Sequence, residues 1–174
     1  MNKEMLPILA GLITAISTLT AVFITNYFNM KSLERNFRFQ SGLKNKELRL
    51  NKLEESYELF EKWCTFFSVG YLNYLYFHSK KISESELFEL LKNPENSLSG
   101  EFQKLITLLN IHFPELEVEY EKVNLARSEI VKYMNIDKKI DVQDFVKAQV
   151  KFENIAKNFK NEIAQLAKNM RMEE

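Results

Sequence analysis

The chain has 174 residues, 45% of them hydrophobic, with only 4 Gly and 3 Pro against 14 Phe and 7 Tyr, so the composition favours helices around an aromatic-rich core. Cys64 is the single cysteine, which excludes an intrachain disulfide and suits a reducing cytosol, and with 2 His it leaves too few ligands for a zinc site. The formal net charge of +0 hides an asymmetry: residues 31–52 carry Lys31, Arg35, Arg38, Lys44, Lys46, Arg49 and Lys52 against Glu34 and Glu47, and the excess acid lies in residues 53–174.

Residues 5–30 hold no charged side chain. As a helix they are about 39 Å long, more than the roughly 30 Å of a bilayer's hydrocarbon layer. A cleaved signal would have a more positive start than "MNKE" and a shorter apolar core, so a retained transmembrane helix over 1–30 is expected. Lys3 and Glu4 nearly balance before the span, whereas seven basic residues follow it. The positive-inside rule therefore expects a single pass of the inner (cytoplasmic) membrane, with the N-terminus outside and the C-terminal domain in the cytoplasm. Tyr27 falls at the inner interface, where an amphipathic ring is comfortable.

On a helical wheel Gly11, Thr14, Thr18, Ala21 and Thr25 share a sector of about 80°. Leu9, Leu12, Ile16, Leu19, Phe23 and Tyr27 share the opposite one, and Thr20 is the one hydroxyl on that bulky side. Gly11 and Ala15 add a small-xxx-small pair. Small faces let backbones approach in lipid, so Gly11, Thr14, Ala15, Thr18, Ala21 and Thr25 form the candidate packing face of a homo-oligomer. The competing reading is that each threonine bonds its own backbone one turn back.

Residues 31–52 read as a basic juxtamembrane neck and 53–174 as a helical bundle. From Leu50 onward Leu53, Tyr57, Phe60, Cys64, Phe67, Tyr71, Tyr74 and His78 keep 3-4 spacing, predicting a long helix. The same frame counts back through Lys46, Leu43, Phe39, Asn36, Ser32 and Asn29 to the small membrane face, with Gly42 as a hinge. Its aromatics suit a bundle covered by later helices. Ser83 and Glu86 have capping-box spacing before a short helix, which Asn93-Pro94 ends and Gly100 separates from the next. Phe102, Leu105, Ile106 and Leu109 mark that next helix, and Pro114 is expected in the first turn of the one after.

"PELEVEYEK" alternates like a strand, but a lone strand has no partner for its backbone. As a helix it carries the stripe Leu116, Tyr120, Val123, Ala126, Ile130 and Met134, with its glutamates solvated. Asp141 is the expected N-cap of the last helix. There Phe145, Phe152, Ala156, Phe159, Ile163, Leu166 and Met170 repeat at 3-4 spacing with Gln149 as the polar member, and "KNMRMEE" is expected to fray. The expected fold is all-α: one N-terminal transmembrane helix continuing into a cytosolic antiparallel helical bundle of four or five helices with short connections.

The chain lacks a Gly-rich phosphate loop, HExxH, CxxC and GxSxG. His78, His112 and Cys64 have no nucleophile or carboxylate at a telling spacing and read as structural or surface groups. Glu115, Glu117, Glu119 and Glu121 read as a solvated face rather than a calcium loop. No catalytic residue, metal or cofactor is expected, and the protein is read as no enzyme. The neck is the patch with functional content. Its basic residues suit anionic lipid, and with Phe37 and Phe39 interleaved they also suit a nucleic-acid or other anionic ligand.

With one span, a basic neck and a compact helical cytosolic part, the layout resembles the small membrane effectors of bacterial antiphage defence. The resemblance is architectural and brings no motif residue. It implies an oligomer that permeabilises the inner membrane when a ligand or partner signals infection. The alternative is a membrane-tethered adaptor whose bundle docks a cytosolic protein.

Overall fold

The structure, a computed structural model, describes residues 5–92 and 100–172. Among the described residues the protein is all-helical, with five α-helices and no strand. These are α1 (Met5–His78), α2 (Glu84–Leu91), α3 (Glu101–His112), α4 (Glu117–Val131) and α5 (Val142–Met172), and a 3-10 turn, Pro114–Leu116, precedes α4. The expected stop at Asn93-Pro94, the flanking Lys3 and Glu4, and the terminal Glu173-Glu174 lie outside the described residues.

Local chemistry sets the helix ends. α1 closes with Lys80 in the left-handed region at φ 56. The Lys80 N–H donates to the Phe77 carbonyl and the Lys81 N–H to the Tyr76 carbonyl, both at 2.9 Å, which satisfies the last carbonyls as a Schellman motif does. α2 opens with the full capping box: the Glu86 N–H donates to Ser83 Oγ at 3.3 Å and the Ser83 N–H to Glu86 Oε2 at 2.7 Å. Gly100 starts α3 at φ 79, a conformation that a Cβ disfavours. Asp141 begins α5, its carboxylate accepting the Gln143 N–H at 2.7 Å. "PELEVEYEK" is helical, but Pro114 belongs to the 3-10 turn rather than to the first turn of α4.

Contacts divide the chain into two compact units, Met1–Glu47 and Leu48–Glu174. In the first, residues 7–45 are a helix exposed on every side. Gly42 lies inside α1 with open space around it.

The second unit holds one core. Leu53, Phe60, Trp63, Phe67 and Tyr71 from α1 meet Leu105, Leu108 and Leu109 of α3. Tyr120, Val123, Ala126 and Ile130 of α4 join them, as do Phe145, Phe152, Ala156, Phe159, Ile163 and Met170 of α5. The α4 and α5 stripes are buried as their spacing predicts, with Met134, Gln149 and Leu166 half-buried at the edges. The α1 stripe is wider than the predicted seam. Tyr57, Cys64, Tyr74 and His78 are only half-buried, whereas Ser56, Leu59 and Trp63, outside that 3-4 frame, are buried. A helix covered by several neighbours buries a broader arc than a two-stranded seam does.

Trp63 is the aromatic centre: it stacks on Phe67 (5.8 Å between centroids, 4° between planes) and on Phe102 (5.8 Å, 23°), and Phe152 meets it edge-on at 6.0 Å. Ion pairs between elements ring this core, among them Lys160–Glu61 (2.8 Å), Arg171–Glu54 (3.0 Å) and Lys62–Glu101 (3.1 Å). They are solvent-facing and contribute little each.

Candidate functional site: the apolar helix and its basic neck

One helix among the described residues is long and apolar enough to cross a membrane, with a mean hydropathy of 2.1 over its best window and no part of that window buried. Its exposed side chains include Leu12, Ile16, Leu19 (70%) and Phe23 (73%). A continuous apolar surface of this size is stable in lipid or against another protein chain, not in water.

The candidate packing residues Gly11, Thr14, Ala15, Thr18, Ala21 and Thr25 are all exposed, and a Cβ on Gly11 would meet nothing within 4 Å. Thr14 Oγ1 donates to the Ala10 carbonyl (2.9 Å), Thr18 to Thr14 (2.9 Å) and Thr20 to Ile16 (2.8 Å). Hydroxyls on both faces therefore find acceptors within their own helix.

The seven basic residues divide. Lys31, Arg35, Arg38, Lys44 and Lys46 belong to the first unit, with Lys31 Nζ over the Tyr27 ring at 6.0 Å and Arg38 paired with Glu34 at 2.6 Å. Arg49 and Lys52 belong to the second. Arg49 pairs with Glu115 at 2.5 Å and lies 5.8 Å from the Phe113 ring centre, and Lys52 pairs with Glu55 at 3.1 Å. Both pairs are partly solvent-exposed. The Arg49 pair leaves no local signal in the sequence, because Glu115 is distant along the chain.

No group of three or more His, Cys, Asp or Glu able to hold a metal occurs among the described residues. Burial pushes the Cys64 thiol up to about 12, so it is protonated and a poor nucleophile at neutral pH. His78 is held below its ordinary pKa chiefly by burial, and its Nε2–H donates to the Tyr133 carbonyl at 3.2 Å. Burial likewise pushes Tyr71 to about 12, and its hydroxyl donates to Glu153 at 2.8 Å. His112 is exposed beside Phe113. The His78 and Tyr71 bonds each tie α1 to a later part of the chain.

No protein-family model matches the chain, and neither a curated protein nor a solved structure is similar to it.

Proposed function

We propose that the chain is a non-enzymatic, oligomeric protein of the inner membrane. Residues 5–30 cross the bilayer with the N-terminus outside, 31–52 form the basic neck, and 53–174 are a cytosolic antiparallel helical bundle. The observation that carries this is the exposed, uncharged helix followed at once by cations, Lys31 being the first. The architectural likeness to antiphage membrane effectors extends the proposal to a gated pore-forming effector, in which the Gly11–Thr25 face packs between copies or lines the axis and the bundle senses the trigger. The neck holds anionic lipid in this reading, and a nucleic-acid or other anionic ligand is a further occupant of the same charges. Thr18→Leu with Ala21→Leu should leave membrane insertion intact and abolish oligomers crosslinked through the span. Unchanged crosslinking of the double variant refutes the role of the small face.

A second reading, a membrane-tethered adaptor with a cytosolic protein partner, is favoured by the hydroxyls of Thr14, Thr18 and Thr20, which bond within their own helix as in a plain anchor. It expects a fragment of residues 31–174 to bind that partner as well as the full chain does.

A further inference from the structure

The apolar character of the first unit does not stop at the first charge. Counted in alternating steps of four and three, Leu12, Ile16, Leu19 and Phe23 lead to Met30, Leu33 and Phe37. Asn26 and Gln40 are the polar members of the same row. At about 100° per residue the row keeps within a sector of about 120°. Its drift is the roughly 20° per heptad that a left-handed supercoil removes. The sector includes the bulky side of the span, opposite the small face.

Met30, Leu33 and Phe37 are 73%, 71% and 73% exposed. Lys31 has already ended the uncharged span, and Phe37 lies about 10 Å further along the axis than Met30. Residues 5–47 are helical throughout, so this part of the row cannot fold back into the hydrocarbon. Lipid tails cover Leu12 to Phe23 but do not reach Phe37, which needs a protein cover.

We propose that a second copy of this chain, in parallel and in register, packs along the Met30, Leu33 and Phe37 row of the neck. The inference rests on the oligomeric membrane reading above, in which every copy threads the bilayer in the same direction. Charge favours this occupant. Lys31, Arg35, Arg38 and Lys46 lie about 80° or more around the helix from Met30, so two copies meet on Met30, Leu33 and Phe37 with those cations turned outward, and Lys44, the next member of the row after Gln40, ends the apolar seam. Glu34, beside the row, is held by Arg38 at 2.6 Å on its own helix. In register, Asn26 and Gln40 each face their own copy, and an amide carries both donor and acceptor, so each pair is self-complementary. Phe39 and Leu43 fall outside the row, in the frame that leads to Leu50 and Leu53.

The test uses the full-length chain in membranes, with Cys64→Ser removing the native thiol. Single Leu33→Cys and Phe37→Cys variants are oxidised alongside Arg35→Cys and Arg38→Cys. Disulfide-linked dimer should be several-fold greater at 33 and 37 than at 35 and 38. Equal yields, or more at the basic positions, overturn the inference, as does a row covered by lipid or another protein, which gives no dimer at 33 or 37. The mass of the detergent-solubilised wild-type chain separates the two levels. An oligomer without crosslinks at 33 and 37 refutes this seam alone, and a monomer refutes the oligomeric reading as well. Leu33→Lys with Phe37→Lys should then lower the oligomer fraction while Trp63 emission, a readout of the second unit's core, stays unchanged. An unchanged oligomer fraction overturns the inference.

Discussion

Truncating Phe152 to alanine should remove much of the stability of the second unit. The ring is 1% exposed and meets Phe67, Trp63 and Tyr71 edge-on, at 5.1, 6.0 and 6.2 Å between centroids. Phe→Ala in a packed core costs about 3–5 kcal/mol, the transfer loss plus the cavity. Three aromatic partners put Phe152 near the top of that range. Against a total of about 5–15 kcal/mol this is a large fraction. With a urea slope of about 2 kcal/mol/M the unfolding midpoint should fall by about 2 M. Trp63 is the one tryptophan in the chain and is 5% exposed, so its fluorescence in urea titrations of the detergent-solubilised protein reads the transition directly. Phe152→Leu keeps most of the volume but loses the ring contacts, and should cost less than Phe152→Ala. A Phe152→Ala loss below about 1 kcal/mol, or a loss equal to that of Phe152→Leu, would show that the aromatic cluster does not hold the core.

Two further outcomes follow from the same unit. Lys80→Gly should stabilise and Gly100→Ala destabilise, each by about 1 kcal/mol in urea unfolding, because both positions lie at positive φ, 56 and 79; changes of the same sign would contradict the backbone argument. The half-buried His78 has a folded pKa below its unfolded value of about 6.5, so the unfolded chain takes up the proton first and stability falls as pH drops through about 6.5. His78→Gln should remove that part of the slope between pH 7 and 5, and parallel wild-type and variant curves would rule His78 out as its source.

Much of the helical architecture was legible because burial follows spacing. Leu116, Tyr120, Val123, Ala126 and Ile130 are buried as a 3-4 stripe requires, and Ser83 and Asp141 cap the helices their positions predict. Trp63 and Ser56 lie outside the predicted seam because a single frame counts one stripe, whereas α1 sets aromatic side chains against both α3 and α5. The buried Ser56 settles its hydroxyl on the Lys52 carbonyl at 2.8 Å, which no hydrophobic count anticipates. Pairs such as Arg49–Glu115 and Lys104–Glu55 join residues far apart in the chain and leave no local signal. In the first unit the bulky side of the span continues past Tyr27 through Met30, Leu33 and Phe37, all exposed.

The threonine hydroxyls bear on how such a chain would enter and gather in a bilayer. Thr14, Thr18 and Thr20 meet their acceptors on the preceding turn of the same helix. A lone span therefore leaves none of these three groups unsatisfied in hydrocarbon, where an unpaired hydroxyl is costly. For the membrane oligomer proposed above, insertion and association would then be separate equilibria, the second governed by mass action in the plane of the membrane. A cell holding few copies would keep them apart at no polar cost, and local concentration would set when they meet.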